Sequence, residues 1–301
     1  MSLCPYCSKK ISSHVTARDI NNRVNDRPFT YDVCADCGLI SLNAIPPDLS
    51  KFYENDYAPY KMPNSIKELR NNLDPIRFRL EIVREFKLGG KLLEIGPSYG
   101  GFALLAKDAG FEVEAIEMDP KCCQFLTNEI GIRVIESTDV GAALAKLGSY
   151  DVITMWHNIE HLHEPWHLLR ILPQHLNPGG LLVIATPNPE SFQFQCLKGY
   201  WTHLDAPRHL TLMPKRWIRD ILGYAKLEEE PFSTRDIDSL GITRTGWSAS
   251  FKAWARGREP FLFLARVFGR ILGATLAPFE KAERAAAYTL TFRKMSEHKG
   301  T

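Results

Sequence analysis

No charge of either sign dominates this chain, in which 37 Lys and Arg face 35 Asp and Glu for a formal charge of +2. A broad basic field is therefore missing, and electrostatics gives no reason to expect a nucleic-acid partner. The first residues, MSLCPYC, lack the apolar core of a signal segment, and no uninterrupted apolar run reaches the roughly 20 residues that span a bilayer. A cytoplasmic location is the resulting expectation. Internal repeats and low-complexity tracts are also missing, and no disorder-dominated region is expected. What is present, 45% hydrophobic and 24% charged residues over 301 positions, suits one sizeable core plus a small extra module.

Cysteine is sparse but patterned. Four of the seven form Cys4-Pro-Tyr-Cys7 and Cys34-Ala-Asp-Cys37, two C-x-x-C pairs with 26 residues between them. Each such pair makes a tight knuckle presenting two sulfurs, and two knuckles complete a tetrahedral zinc shell. A redox C-x-x-C would open a helix within a βαβ pattern, which neither pair does. Residues 8–33 are too short and polar to hold a core without the metal, so residues 1–45 read as a zinc ribbon. Cys122, Cys123 and Cys196 are left as buried free thiols.

The stretch LISLNAIPPDLSKFYENDYAPYKMPN reads as a connector. Ile66, Leu69, Leu73, Ile76, Leu80, Val83 and Phe86 then follow at helical spacing, with a bend expected at Pro75. Connector and leading helix together cover 46–88. Short apolar runs at 91–96, 111–117, 132–136, 151–156 and 180–186 alternate with helical segments at 101–109, 120–130, 138–147 and 165–176. That alternation predicts an α/β fold, a parallel sheet covered by helices on both faces. Beyond Pro189 come a helix at 214–224, a strand near 226–234, an apolar helical region at 248–282 and a last strand at 286–294. The catalytic domain is thus expected over 89–301, with a helical insertion near 236–285.

The first strand of this alternation ends in Glu94-Ile-Gly96-Pro-Ser98-Tyr-Gly100-Gly101 and a helix follows, the arrangement that brings a ligand to a helix N-terminus. Glu117, 23 residues after Glu94, closes the second strand, where a carboxylate can take both ribose hydroxyls of a nucleoside. Gly96, Ser98 and Gly101 almost make G-x-G-x-x-G, so a dinucleotide is conceivable. Glu94 would repel a pyrophosphate, however, and suits the cationic amino-acid end of S-adenosylmethionine.

The segments LLEIGPSYGGFALLA, EAIEMDP, YDVITMWHNIEHLHEPWHLL and LNPGGLLVIATPN resemble, in order and spacing, class I S-adenosylmethionine-dependent methyltransferases. The cysteine pairs with YDVCADCGLISLNAIPPDLSKFYENDY look like the zinc-bearing branch associated with sugar and polysaccharide biosynthesis. The resemblance implies a Rossmann-like seven-stranded sheet whose last strand, AAYTLTFRK, is antiparallel. It also implies that Gly96, Ser98 and Gly100 line the methionine end of the cofactor, Glu94 its ammonium, Glu117 the ribose and Met118 the adenine, with Glu136 or Thr138 as further adenine contacts. Ser98 departs from the usual glycine.

Residues 157–167, HNIEHLHEPWH, gather four of the chain's nine histidines. His157-Asn-Ile-Glu160-His161 satisfies the H-x-x-E-H pattern of zinc proteases, but it directly follows a strand instead of lying inside a long helix, and Glu164-Pro165 reads as the next helix start. A hydroxyl or carbon acceptor needs a base near neutral pKa, for which histidine is suited. His157, Glu160, His161 and, after the fifth strand, His209 are the candidate catalytic residues; His163 and His167 read as surface or packing residues. The pattern also looks like the E-x-x-E-H of metal-dependent O-methyltransferases, which keeps a second divalent metal open, although imidazole at 157 is a poor ligand for a hard cation.

The run FLFLARVFGRILGATLAPF (261–279) is read as a core or lid helix over the acceptor pocket, ahead of a membrane-surface or dimer-forming helix. The resulting expectation is a methyltransferase acting on a sugar, nucleotide sugar, glycan or related small metabolite. An RNA methyltransferase and a non-catalytic zinc-bearing interaction protein are the alternatives.

Overall fold

A computed structural model of the chain describes residues 3–53, 62–230, 237–255, 259–280 and 282–295. Part of the expected connector, the tip of the helical insertion and the chain's last residues lie outside these ranges.

The main sheet has seven strands. In spatial order they are β10 (Leu227–Glu229), β11 (Ala287–Lys294), β8 (Leu176–Pro187), β7 (Tyr150–Trp156), β4 (Gly90–Ile95), β5 (Phe111–Glu117) and β6 (Arg133–Glu136). β8, β7, β4, β5 and β6 pair in parallel, while β11 runs antiparallel to both of its neighbours. This is the expected sheet with its antiparallel last strand. The short apolar runs became strands because a parallel sheet is buried on both faces, and period-2 alternation sorts each run between them. Leu93, Ile95, Ile153, Met155, Leu182 and Ile184 point into one core. Leu92, Val152, Leu181, Val183 and Ala185 point into the other.

The first core is closed by α6 (Pro165–Ile171) and α8 (Lys215–Tyr224), through Trp166, Leu169, Trp217 and Ile221, and α5 (Val140–Leu144) flanks it. The second is closed by α2 (Arg77–Phe86), α3 (Gly101–Asp108) and α4 (Pro120–Phe125), which passes through a π-helical turn to Ile130. The expected single leading helix is broken. α1 (Ile66–Asn71) is capped by Ser65, whose hydroxyl accepts from Glu68 N, and a 3-10 turn over Asp74–Ile76 with Pro75 separates it from α2. Proline in that position removes a donor and stops the helical ladder, so the chain restarts rather than bends.

A second, antiparallel sheet is ordered β1 (Ile11–Ala17), β2 (Phe29–Cys34), β3 (Ile40–Leu42) and β9 (Thr211–Leu212). Its fourth strand comes from the far side of the chain, with Ile40 opposite Leu212 and Ser41 opposite Thr211. The cysteine-bearing segment is therefore stitched to the catalytic half by backbone hydrogen bonds. Cys4, Cys34 and Leu39 belong to the same apolar cluster as the main sheet.

α7 (Phe192–Leu197) follows β8, and α9 (Ile237–Ala255) with α10 (Glu259–Leu276) forms the helical insertion. Of the reading of 261–279 as a core or lid helix, the core half is corrected, since only 11% of that stretch is buried. By length and composition it would suffice to cross a membrane. Hydropathy alone cannot say whether an apolar face is covered. Cys122 and Cys123 are buried free thiols as expected, but Cys196 is exposed, because it lies on the outer side of the short α7.

Candidate active site

Strand order reverses at β4, which lies between β5 and β7, and the crevice at the carboxyl ends of β4 and β7 is where open α/β sheets bind ligands. Glu94 is 3% exposed there, and its Oε2 has no hydrogen-bond partner. Burial pushes its pKa up to about 8, against the pull of Arg79 and with a further push from Glu117. A buried carboxylate oxygen without a donor is a demand for a cation. Gly96 (φ +70) turns the chain out of β4, and a Cβ there would fall 2.0 Å from Asn158 Nδ2. Asn158 Oδ1 and Ser98 Oγ are likewise buried without partners. Ser98 takes φ 54, a left-handed conformation, and its N–H donates to Glu117 Oε2 at 2.9 Å.

Glu117 ends β5 with its other oxygen accepting from Met118 N (2.7 Å) and Asp119 N (2.9 Å). Burial raises its pKa, opposed by these three N–H donors. Met118 is 54% exposed beside it, and Glu136 pairs with Glu117 across β5 and β6. Gly100 caps α3 in the left-handed region. Glu94, Gly96, Ser98 and Glu117 thus stand at the ends of β4 and β5, with Met118 beside Glu117 and Gly100 at the start of α3. An orphaned carboxylate for an ammonium, a second carboxylate at the strand end and orphaned hydroxyl and amide oxygens between them fit S-adenosylmethionine.

His157 follows β7 with φ 51, and its N–H donates to Ala185 O. Asn158 precedes a 3-10 turn over Ile159–His161, so H-x-x-E-H here is a strand end, not a helical face. Glu160 is fully buried, and its Oε2 accepts from Thr186 Oγ1 at 3.0 Å. Its Oε1 faces His157 Nδ1 at 3.6 Å and His209 Nε2 at 3.8 Å. Burial pushes this carboxyl up but is outweighed by the His157 hydrogen bond and the surrounding imidazoles, which hold it down at about 2. His209 is driven down to about 4 by burial and by His161, against the pull of Glu160, so it is a weaker base than the near-neutral imidazole expected from the sequence. The pair therefore stands as an ionised Glu160 and a neutral His209.

The tautomers follow from the acceptors. His209 Nδ1 lies 3.0 Å from His203 O, and His161 Nδ1 lies 3.1 Å from Arg208 O; carbonyls only accept, so both Nδ1 atoms carry the proton. Each Nε2 is left with its lone pair, and the two rings meet at 4.7 Å. Tyr53 OH is 3.0 Å from His161 Nδ1 and 3.4 Å from Arg208 O. Burial raises its pKa above the usual phenolic range. His163 and His167 are exposed, as expected.

The loop carrying His209 is held from three directions. Leu210 N donates to Glu160 O (2.8 Å), Tyr31 OH donates to His209 O (2.8 Å), and Leu42 N donates to Leu210 O (2.9 Å). Arg208, fully buried, donates to Asp19 Oδ1 (2.8 Å), to both oxygens of Asp205 and to Phe52 O (3.0 Å). Tyr53, Asn158, Thr186, Asp19 and Asp205 were not singled out from sequence. Tyr53 and Asp19 sit in polar segments with no periodicity to point at them, whereas Asn158 and Thr186 could have been found as polar residues at strand ends.

The four cysteines converge: Cys4 Sγ is 3.7 Å from Cys37 Sγ, and Cys7 Sγ is 3.5 Å from Cys34 Sγ. A tetrahedron with Zn–S bonds of about 2.3 Å has edges of about 3.8 Å, so the set fits zinc. The knuckles match: Ser8 N donates to Cys4 O and Gly38 N to Cys34 O, both at 2.9 Å, and Ser8 and Gly38 both take positive φ. A second group, Glu160, His161 and His209, has donor atoms within 4.8 Å of one another.

Parallel strands with the reversal at β4, an antiparallel last strand and an acidic, glycine-turned crevice are the features of the class I methyltransferase fold. The sequence profile of the methyltransferase domain family matches residues 66–228, more than half the chain, and the chain belongs to that family. It is 26% identical over 226 residues to the ubiquinone biosynthesis O-methyltransferase of Vibrio parahaemolyticus, covering 72% of this chain and 93% of that protein. It is 29% identical over 122 residues to the enzyme of the same name from Xanthomonas axonopodis pv. citri, covering 38% of this chain. The chain spans about half the length of that relative (51%). A SAM-dependent methyltransferase from Archaeoglobus fulgidus shares the fold at TM-score 0.50 and 17% identity, over 76% of this chain and 97% of that one.

Proposed function

We propose that this chain transfers the methyl group of S-adenosylmethionine to a hydroxyl of a small molecule, with a sugar, nucleotide sugar or glycan unit as the acceptor class, and that His209 takes the hydroxyl proton. The observation that carries the reading is the bare Nε2 of a neutral, buried His209, fixed by its Nδ1–H on His203 O and backed by Glu160. The printed names of the relatives, O-methyltransferases, support oxygen as the atom methylated.

When bound, S-adenosylmethionine supplies a methyl group already activated on a sulfonium. The chain's task is to align the acceptor, exclude water and receive a proton. Glu94 would hold the ammonium and Glu117 the ribose hydroxyls, with the N–H of Ser98 fixing the Glu117 carboxylate. As the methyl group passes to the acceptor oxygen its bond to sulfur would break and the cofactor would leave as the neutral thioether S-adenosylhomocysteine; His209 Nε2 would take the hydroxyl proton, and the ionised Glu160 would stabilise the resulting imidazolium. His161 and Tyr53 wall the acceptor side, and His157 holds Glu160 in place. Cys4, Cys7, Cys34 and Cys37 would hold a zinc whose part is structural.

One observation favours a variant of this chemistry. His161, His209 and Glu160 form the set of two imidazoles and a carboxylate that divalent ions take, each imidazole anchored through Nδ1–H to a carbonyl. Ligands about 2.1 Å from an ion lie at most about 4.2 Å apart, and the donor atoms of these three residues lie within 4.8 Å of one another. Such an ion would lower the pKa of an acceptor hydroxyl directly.

The decisive experiment is methyl transfer from labelled cofactor to nucleotide sugars, glycans, hydroxylated aromatics and RNA, with mass analysis of the product. Labelling of RNA alone, with salt-sensitive binding, would replace the small-molecule reading, and absence of cofactor binding in the zinc-loaded protein would leave an interaction protein. About one zinc per chain, with activity surviving a mild chelator, would remove the second ion.

A further inference from the structure

The outer face of the α9–α10 hairpin takes no part in the chemistry above. α10 turns its small residues inward: Ala265 is buried, and a Cβ on Gly269 would lie 2.7 Å from Ser248 Cα, so the two helices meet backbone to backbone. Away from that seam Phe261, Phe263, Leu264, Phe268 and Ile271 are 54–73% exposed, and Trp254 at the end of α9 is 49% exposed. A contiguous apolar surface of this kind marks an interaction site.

Its charge says what covers it. From Pro260 to Phe279 the sequence holds two arginines and no carboxylate. Arg266 and Arg270 are both exposed, as is Lys252 on α9. At about 100° per residue Phe261, Leu264, Phe268 and Ile271 gather within about 80°, while Arg266 and Arg270 lie together beside Phe263 at the other edge of the exposed arc, so one side of that arc is apolar and the other cationic, as on a helix lying in a bilayer interface. Two copies packed through this stripe would bring arginines together with no α10 carboxylate beyond Glu259 to face them, whereas anionic headgroups neutralise them. A spanning arrangement is opposed by the same arginines in mid-helix and by the seam against α9.

We propose that this face docks on the surface of an anionic bilayer, with the aromatic and aliphatic side chains at the headgroup boundary and Arg266 and Arg270 on lipid phosphates. The hairpin is fastened to the segment that carries the acceptor-side histidines: Gln193 Nε2 donates to Thr243 O (2.6 Å), and Thr202 N donates to Ser250 Oγ (3.1 Å). Docking would therefore hold the acceptor side of the crevice at a fixed relation to the lipid surface. The inference is independent of which acceptor the enzyme takes.

The test is co-sedimentation of the full chain with phosphatidylcholine vesicles made with and without phosphatidylglycerol. The expected result is pelleting with the anionic vesicles only, weakening as salt is added. At about 1 kcal/mol per arginine, an Arg266→Ala/Arg270→Ala variant should bind roughly thirtyfold less tightly. A Phe263→Ser/Leu264→Ser variant should stay in the supernatant. Both substitution pairs are on the exposed surface, and unchanged cofactor binding by calorimetry shows the variants folded. The proposal is overturned if the unaltered protein stays in solution at every phosphatidylglycerol fraction, or if pelleting ignores both variants. It is equally overturned if light scattering finds a dimer in vesicle-free solution that Phe263→Ser/Leu264→Ser converts to monomer, since a second copy then owns the face.

Discussion

Glu94 shows how a binding site can be stored as a local cost. Its buried carboxyl titrates near 8 in the folded protein against 4.5 for a free glutamate. As pH rises from about 4.5, the unfolded chain releases this proton while the folded one keeps it, so Glu94 lowers stability progressively until pH 8. Glu94→Gln should accordingly melt higher than the unaltered apoprotein, by a margin that grows with pH over that window and then levels off. The cofactor reverses the account, because its ammonium favours the carboxylate. S-adenosylmethionine binding at neutral pH should release protons and tighten toward pH 8, and Glu94→Gln should bind it roughly ten to a hundredfold more weakly, the worth of a hydrogen bond to a charged group. Calorimetry in buffers of different ionisation enthalpy reads both effects; proton-independent binding would remove Glu94 from the ammonium.

His209 and Gly96 separate chemistry from binding. His209→Asn should lower kcat by about 10²–10⁴, as loss of a general base does, with cofactor affinity unchanged. Gly96→Ala should do the opposite. Its φ of +70 and the 2.0 Å approach to Asn158 leave no room for a Cβ, so cofactor binding should weaken steeply while the melting temperature falls. A Gly96→Ala protein that binds cofactor normally would mean the turn is not part of the cradle.

At the scale of elements, the two knuckles and β9 form one device. β9 begins two residues after His209, and its partner β3 begins three residues after Cys37. Removing zinc with a strong chelator should therefore loosen the loop bearing His209 without touching the β4 and β5 ends. The expected outcome is loss of methyl transfer with cofactor affinity nearly retained, and Cys34→Ser should behave alike. Equal loss of both would mean that the metal supports the whole fold rather than the acceptor side.

The same elements show what a sequence can and cannot reveal. The five parallel strands were legible because a strand buried on both faces is a plain apolar run, and the knuckles because two thiolates on one metal require their spacing. Glu94, Gly96 and Glu117 were legible because each stands at a strand end. The two-residue β9 was not, since it has no pattern of its own and exists only through β3. Tyr53 was hidden for a similar reason: its bond to His161 joins positions 108 apart. The apolar helix at 261–279 was visible, yet its exposure was not, because hydropathy is the same whether a face is covered or open.

At the scale of the molecule, the N-terminal sheet has an apolar cluster of its own, while the cysteine knuckles join the core of the main sheet and one buried ionic knot ties the N-terminal segment to the loop bearing His209. Tyr6, between the first two cysteines, packs edge-on against Trp217 at 4.9 Å and lies 5.9 Å from Trp166, so the knuckle sits on α6 and α8. Arg208 joins Asp19 of the N-terminal segment to Asp205, with every charged side chain nearly or fully buried. Breaking such a pair leaves an uncompensated buried charge at a cost of about 3–5 kcal/mol. In a chain of this size that corresponds to roughly 5–8 °C in Tm. Asp19→Ala should show this loss as a single transition, with tryptophan fluorescence and far-ultraviolet dichroism shifting together. Two separated transitions would show instead that the cysteine-bearing sheet melts alone, and the tie between Asp19 and the His209 loop would then contribute nothing to the catalytic half. Arg208→Lys is the sharper variant, because one ammonium cannot serve Asp19, both oxygens of Asp205 and Phe52 O at once. It should lower kcat by displacing His209 and Tyr53 while leaving cofactor affinity intact, a split that loss of stability alone would not produce.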